Sequence, residues 1–497
     1  MTYVARVRLD AFGAGGRAAL EALAEALGPD RAAWVVGGAV RDARVGAGVR
    51  DLDLAVPMGA VALARELGDR LGAAFLVLDE TRGAARIVGA AGYAWQGPQV
   101  DIADFRAPDL AGDLRGRDFT INALAVGVQD LARAGEAGIE DPTGGLGDLR
   151  GRVVRLCAPR SLEDDPVRVL RAARLAIMPG WTLDAAVGPA AQRAASGLSR
   201  VSAERVRDEI LRIFAEPVSA AGLRLLDQWG ALALVLPERG AMKATAQPEP
   251  HHFDVWEHSL RAVEGADLLA SRPRELEPWG DAFAAHLAEP LGDGATRREA
   301  LKLAALLHDV AKPETRTVES GRVRFLGHDV LGAQHVLAIA GRMRLSGRLA
   351  SVLERLVRHH LRPMHLAMAG EVTRRARYRL FRDLGDDALD LLLLALADSA
   401  ALKGDSPFSV WEGPDGRIVR ELMAGHAEEA AALSSPPLLD GREAMEALGL
   451  GPGPELGRLL GHLREAQAVG VVATREAAIA YLKRLRAGPL DTPEPAP

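Results

Sequence analysis

The segment Gly37-Gly38-Ala39-Val40-Arg41-Asp42, followed closely by Asp51-Leu52-Asp53-Leu54, constrains this chain more than any other. The apolar run 33–36 before it reads as a strand, and a glycine pair between a strand and a helix lets backbone approach a ligand closely. The free N–H groups of such a turn, with the helix N-terminus behind it, suit a triphosphate. Asp51 and Asp53 alternate with Leu52 and Leu54, as in a strand that turns its leucines to a core and both acids to the other face. Two carboxylates side by side repel unless a cation lies between them, and Mg2+ carrying substrate phosphates is the natural occupant. Asp101, flanked by Val100 and Ile102, supplies a third acid on another half-buried strand. Three acids gathered this way fit phosphoryl transfer with two metal ions, one activating a hydroxyl and both balancing charge at the α-phosphorus. Alone, a glycine pair is a turn and Asp-Leu-Asp a solvated strand end; their order and spacing together carry the reading.

Around this segment the pattern is α/β. Further strands are expected near 75–78, 85–88, 100–105 and 153–156, with helices near 18–27 and 61–71. From about 164 to 236 the periodicity turns helical, and Ser202-Ala203-Glu204-Arg205 looks like a helix start. Residues 240–250 read as a linker. Residues 252–403 are again helical, broken near 271–298 by a Pro/Gly/charged stretch that reads as a loop or insertion. A last unit, about 437–485, ends in a helix over 474–486. The expected fold is therefore a mixed-sheet α/β head followed by helical domains. The proposed division is 1–158, 159–240, 241–405 and 406–487, with a disordered tail at 488–497. A chain of 497 residues accommodates about three or four domains. With aromatics at 4%, their cores must be built mainly from Leu, Val and Ala.

Charge and cysteine content exclude some classes. The 61 basic and 67 acidic residues give a net −6, so any nucleic-acid contact must come from local basic faces. One such region is 155–214, with ten Arg against seven Asp and Glu. Cys157 is the single cysteine, so no intrachain disulfide forms. No run of about 18 apolar residues is present, which excludes a membrane span, and no secretory signal is visible. A cytoplasmic protein is expected.

Two further blocks carry chemistry. Arg117-Asp118-Phe119-Thr120-Ile121-Asn122-Ala123 places a cation, an acceptor and an amide in one short segment, suited to a pair of ribose hydroxyls. The plain alternative is a helix N-terminus capped by Asp118 or Thr120. In Asp164-Asp165-Pro166-Val167-Arg168-Val169-Leu170-Arg171, Pro166 fits a first helical turn with Asp165 as its cap, and Arg168 and Arg171 share a face. An Asp acceptor beside an Arg donor imitates the partner of a base. Cytosine and adenine both offer an exocyclic amine to the carboxylate and a ring acceptor to the guanidinium; guanine and uracil present the reverse. Such a pair selects C and A with no nucleic-acid template. The plain alternative is an ordinary ion pair three residues apart.

Together these blocks resemble the class II tRNA nucleotidyltransferases and their poly(A) polymerase relatives. GGAVRD with DLD is similar to that family's metal-binding motif and RDFTINAL to its ribose motif. DDPVRVLRAARLA is similar to its base-reading neck helix and VSAERVRDEI to a further neck motif. The resemblance implies addition of CMP, AMP or both, from CTP and ATP, to the 3′ end of tRNA. It implies Asp51 and Asp53 as holders of Mg2+, with Asp101 as a third carboxylate. Gly37, Gly38 and Arg41 would lie at the nucleotide, Arg117, Asp118 and Asn122 at its ribose, and Asp165 and Arg168, beside Arg171, at its base. The chain departs from the family pattern in two places. Asp164-Asp165 stands for the usual Glu-Asp, and Gly116-Arg117 for a double arginine. The segment between Asp101 and Arg117 is also short. Full CCA-adding relatives carry a longer flexible loop there, linked to the switch from C to A, so the short segment favours a partial enzyme adding only CC. Near the C-terminus, LLDGRE at 438–443 and GPGPELG at 451–457 resemble the region that holds tRNA in relatives, though a plain helix connection reads equally well.

The second half carries a different cluster. His308-Asp309 closes an apolar helix, with His258 upstream and His328, His360 and Asp398 downstream. Mixed imidazole and carboxylate suit Mg2+ or transition ions such as Mn2+ or Ni2+, which activate water against a phosphate ester. The order resembles the HD phosphohydrolase superfamily. That resemblance implies His258, His308, Asp309 and Asp398 as core ligands, and His328 and His360 as candidates for a second ion. His251, His252 and His359 read as surface or loop histidines. Two alternatives remain at this point. One is a poly(A) polymerase, whose motifs are shared. The other is an HD hydrolase with a non-catalytic RNA-binding head, against which the intact Asp51, Asp53 and Asp118 argue.

Overall fold

The computed structural model describes residues 5–49, 51–90 and 92–488. Two compact units divide the chain, one built from residues up to Glu209 with Arg224–Val235, the other from Ile210–Leu223 with everything from Leu236 onward. The first unit is organised by a six-stranded sheet. Its strands are β1 (Trp34–Val36), β2 (Asp51–Val56), β3 (Ala74–Asp79), β4 (Ala84–Val88), β5 (Gln99–Asp104) and β6 (Ala125–Gly127), in the order β3-β4-β5-β2-β1-β6. β2 and β5 run parallel, and every other neighbouring pair is antiparallel. Helices α1 (Gly13–Leu27), α2 (Gly38–Val45) and α3 (Ala60–Leu71) flank it. Leu52 and Leu54 are buried on the face covered by α1 and α3, whose Leu20, Leu23, Leu63 and Leu67 complete that core. The acids of β2 are left on the opposite face, as alternation requires.

Beyond the sheet, α4 (Leu110–Arg115) is capped by Asp109, whose side chain accepts the Gly112 N–H at 2.7 Å. Helices α5 (Arg168–Ala176) and the start of α6 (Ala203–Ala215) follow. Asp165 is not the side-chain cap of α5. Its backbone carbonyl accepts the Arg168 N–H at 3.0 Å, the helix starts through a tight turn, and the carboxylate is turned elsewhere. Asp118 and Thr120 are likewise not caps; the local element is a 3-10 turn over Thr120–Asn122. The strand expected at 153–156 is only Val153–Val154, paired with Thr182–Leu183.

In the second unit, α7 (Val255–Ser271), α8 (Arg297–Leu307), α9 (His328–Arg342), α10 (Gly347–His359) and α11 (Ala388–Lys403) form a bundle. α11 is apolar nearly all round, with Leu389, Leu391, Leu392, Leu393, Leu394 and Leu396 buried, as befits an internal helix. A Cβ on Gly265 of α7 would lie 3.1 Å from Ala397 Cα, so glycine sets how closely α7 crosses α11. The stretch 271–298, expected as a loop, is ordered structure: a 3-10 turn, the helix Gly280–Leu287 and the hairpin Pro290–Gly292 with Ala295–Thr296. Three C-terminal helices, Gly441–Leu448, Pro454–Ala468 and Arg475–Ala487, share a separate core around Leu448, Leu459, Leu463 and Leu482. The expected tail, apart from Gly488, lies outside the described residues. No helix among the described residues is long and apolar enough to cross a membrane.

Candidate active site and metal centre

Strand register assembles the acids in the first unit. Asp53 is paired with Asp101 across β2 and β5, so the two carboxylates stand side by side on the face away from Leu52 and Leu54. Asp51 lies two residues earlier on that face and is exposed. Burial pushes the Asp53 carboxyl up; Arg117 opposes this, while Asp101 and Asp51 push it further. A carboxylate held this way gains from a nearby cation. Asp101 is in a different state. Arg86 grips both its oxygens, Nε to Oδ1 and Nη2 to Oδ2, each at 2.8 Å.

Gly37 caps α2 with φ +75°, and a Cβ there would lie 3.2 Å from Arg117 Nη1 and 3.5 Å from Asp53 Oδ2. The positive φ requires glycine here, and its missing side chain keeps the backbone close to both groups. Gly38 opens α2, and from that helix Arg41 Nη1 donates to Asn122 Oδ1 at 2.7 Å. Asn122 in turn donates to Asp118 Oδ1 at 3.2 Å. Burial pushes Asp118 up, but Arg171, with Arg168 and the Phe119 N–H, outweighs it and brings the carboxyl down to about 2.

A pocket of about 280 Å³ lies between these groups and the start of α5. Asp53, Asp101, Arg117 and Asp118 line one side, and Asp165, Arg168, Arg171 and Arg205 the other. Asp51, Gly37, Gly38, Arg41 and Asn122 do not line it; Gly37 and Asn122 back its walls. The buried Arg168 is fixed by Ser161 O at 3.0 Å and Gly116 O at 3.1 Å, and its Nε lies 4.0 Å from Asp165 Oδ2. That same oxygen accepts from Arg205 Nη2 at 2.7 Å. Arg171 joins Asp118 at 2.7 Å to Glu209 at 3.1 Å. Arg205 and Glu209, one turn apart on α6, thus each grip an oppositely charged residue near the start of α5. Sequence reasoning assigned neither, nor Arg86. The i, i+4 spacing of Arg205 and Glu209 was the available signal.

The second unit brings its histidines together in two groups that share a neighbourhood. His258, His308 and Asp398 form one and Asp309, His328 and His360 the other, each with ligand atoms within 4.8 Å of one another. Asp309 links them: its Oδ2 is 3.1 Å from His308 Nε2 and its Oδ1 is 3.3 Å from His328 Nε2. Three of the rings turn Nδ1 to backbone carbonyls, His308 to Ala305, His328 to Phe325 and His360 to Val357, at 2.9, 2.6 and 2.7 Å. That anchoring leaves each Nε2 facing the centre, the arrangement a metal-binding imidazole needs. Burial opposes a charged His308, but Asp309 and Asp398 outweigh it and push it up to about 10. His360 is pushed down to about 4 by burial and by His308. His308 Nε2 and Asp309 Oδ2 are buried without a hydrogen bond, although Lys312 Nζ forms an ion pair with that oxygen at 2.6 Å. Imidazole nitrogens and carboxylate oxygens converging in this way fit a divalent ion. Lys312, three residues beyond Asp309, went unassigned in the sequence. His251, expected at the surface, packs edge-on against His258 at 5.3 Å between ring centres.

Comparison with known proteins gives three family matches along the chain. Residues 33–155 match the Poly A polymerase head domain family, 180–242 the probable RNA and SrmB-binding site of polymerase A, and 255–401 the HD domain. The class is therefore a polymerase-type nucleotidyltransferase joined to an HD domain. Among relatives, the chain is 36% identical over 461 residues to the A-adding tRNA nucleotidyltransferase of Deinococcus radiodurans, covering 91% of this chain and 95% of that protein. It is 35% identical over 467 residues to the CC-adding tRNA nucleotidyltransferase of Thermus thermophilus, covering 92% and 94%. A solved CCA-adding enzyme with CTP shares the fold at TM-score 0.60 and 19% identity over 97% of both chains. The Thermotoga maritima CCA-adding enzyme with tRNA does so at 0.58 and 17%, over 97% and 99%. Identity of this level across nearly whole proteins makes the chain a member of the tRNA nucleotidyltransferase family.

Proposed function

We propose that this chain is a template-independent enzyme of the class that adds CMP, AMP or both to the 3′ end of tRNA, and that within this class it adds CMP alone, ending at CC. The observation that carries the first part is the single pocket in which Asp53 faces Asp165 and Arg168. The tRNA 3′-oxygen forms a bond to the α-phosphorus of CTP or ATP, the bond from that phosphorus to the β-phosphate oxygen breaks, and pyrophosphate leaves. Asp51 and Asp53 would hold Mg2+, which supplies charge neutralisation and activation of the hydroxyl. Arg117 and Asp118, with Asn122 behind Asp118, set the ribose end, and Gly37, Gly38 and Arg41 stand on the phosphate side just outside the pocket lining. Asp165 accepts the exocyclic amine of cytosine or adenine while Arg168 donates to the ring acceptor. Arg171 holds Asp118 and α5 in line. In this reading residues 1–158 carry the chemistry and 159–240 read the base and contact RNA. Residues 241–405 form the metal domain, 406–487 contact tRNA, and the protein works in the cytoplasm.

Relatives of nearly equal identity add A or CC, so identity does not choose between them. The segment after β5 supports CC. It passes through a short turn into α4, where Asp113 accepts the Arg106 N–H at 3.0 Å and pairs with Arg117 at 3.2 Å. A segment so short and so pinned has no length for the flexible loop of full CCA-adding relatives. The test is incubation with tRNA lacking its tail, and with tRNA ending in CC, each with single nucleotides. Addition of two C residues and no A supports the reading. A single A on the CC-ended substrate makes it an A-adding enzyme if no C is added to the tail-less tRNA and a full CCA-adding enzyme if two are, and a long A tail makes it a poly(A) polymerase.

For the HD half, the two buried ligand groups support phosphate-ester hydrolysis as a second activity. His258, His308, Asp309 and Asp398 would hold Mg2+, Mn2+ or Ni2+, with His328 and His360 for a second ion, supplying Lewis-acid chemistry at the phosphorus. Lys312, already paired with Asp309, adds a fixed positive charge beside it. Release of phosphate from cyclic or terminal phosphate esters, lost in Asp309→Asn, tests this.

A further inference from the structure

The three acids Asp51, Asp53 and Asp101 on the β2–β5 face are not equivalent. Among the described residues, the carboxylates of Asp51 and Asp53 make no hydrogen bond, whereas both oxygens of Asp101 are engaged. Arg86 stands directly opposite Asp101 in the β4–β5 register and grips it with two parallel bonds at 2.8 Å. Gln99, two residues earlier on β5, adds its amide at 3.4 and 3.3 Å. A fork-to-fork arginine pair of this geometry is directional and strong, and it fills the lone pairs that an ion would use. A free aspartate so close to Asp53 would add a third negative charge and a third ligand. With Arg86 in place, one charge is offset and the site offers two open carboxylates.

We propose that Arg86 is a positioning residue that withdraws Asp101 from ion binding, so that Asp51 and Asp53 alone hold the cations of the transferase centre. This rests on the reading of Asp51 and Asp53 as the ion-holding pair. Asp101 then serves as the anchor that keeps the Arg86 guanidinium beside the acids, and the strength with which ions bind is set by that pair.

The test is direct titration of Mn2+ onto the full chain by electron paramagnetic resonance, without nucleotide or RNA, so that ions of the HD centre are common to every variant and cancel in the differences. Asp53→Asn should lose a bound ion. Asp101→Asn should keep the wild-type number of ions, with affinity weakened by up to about tenfold because the Arg86 guanidinium is left uncompensated beside the site. Arg86→Met should bind Mn2+ more tightly, by about tenfold, because it releases a carboxylate beside the site and removes a like charge. Arg86→Met with Asp101→Asn should return to near the wild-type affinity. A merely structural role for the pair would lower thermal stability without ever tightening ion binding. The proposal is overturned if Asp101→Asn loses the same ion as Asp53→Asn, or if Arg86→Met binds Mn2+ no more tightly than wild type. Should Arg86→Met not fold, the ion count of Asp101→Asn decides by itself. An Asp53→Asn protein with unchanged Mn2+ binding overturns the underlying reading, a result distinct from either of these.

Discussion

In the proposed function, base selection rests on one carboxylate being held still. Arg205 fixes Oδ2 of Asp165, while among the described residues Oδ1 makes no hydrogen bond and is open to an exocyclic amine. Arg205→Met should therefore let Asp165 turn, and the preference for CTP over UTP in single-nucleotide extension should fall by about tenfold or more, the scale of one well-formed base contact. Most of the loss should appear in KM for CTP, and Arg205→Lys should recover part of it. Unchanged selectivity would assign Arg205 to helix packing alone. A second expected outcome concerns the acid pair: Asp53→Asn should reduce transfer by about a thousandfold or more while tRNA binding stays within a few-fold, as for loss of an ion-holding carboxylate. At this scale the sequence told much. Asp51, Asp53, Asp118, Asp165 and Arg168 stand in short blocks whose internal spacing already states their chemistry. Arg86, Arg205 and Lys312 could not be read that way. The partners of Arg86 and Arg205 are 15 and 40 residues away in the chain, and only register and helix packing bring them together.

Elements were legible where a period could repeat. β2 alternates cleanly, and its buried Leu52 makes the acid face possible; Leu52→Ala should cost about 2–5 kcal/mol in the first unit, measured by denaturant unfolding, from lost burial and the cavity left behind. β6 has three residues, too few to show any alternation, and its place at the sheet edge was invisible beforehand. In the stretch 271–298, which reads as a loop or insertion, the Pro and Gly residues punctuate a short helix and a hairpin, elements too brief to show a period. Helix crossings are also hidden from periodicity. Gly265 on α7 illustrates this, and Gly265→Ala tests it. Helix propensity alone would favour alanine by about 1 kcal/mol. The added Cβ, however, would lie 3.1 Å from Ala397 Cα and 3.2 Å from its carbonyl oxygen, backbone atoms that cannot turn aside. Overpacking costs of about 1–3 kcal/mol should therefore win, and the second unit should melt earlier than wild type.

At the scale of the whole molecule, two compact units with separate interiors should unfold as two transitions, and the clustered histidines proposed as ion ligands belong to only one of them. In the ion-free protein His308 holds its proton to about pH 10, against an ordinary value of 6.5. A proton held more tightly in the folded state stabilises that unit fully below pH 6.5, and the contribution is lost as pH rises through 10. A divalent ion at the same cluster must displace that proton, because a metal-bound imidazole is neutral. His360, already neutral above about pH 4, adds no second competing proton. Ion affinity should therefore rise about tenfold per pH unit between pH 7 and 9, with one proton released per ion. In calorimetry at saturating Mn2+, each tenfold gain adds about 1.4 kcal/mol to the stabilisation by the ion relative to the ion-free protein at the same pH. The second transition should thus hold nearly level from pH 7 to 9 when the ion is present and move down when it is absent. His308→Ala should abolish the divergence, leaving the transition of the first unit where it was. If the ion shifts the second transition equally at pH 7 and pH 9, the proton on His308 does not compete with the ion, and the cluster binds its metal without that ring.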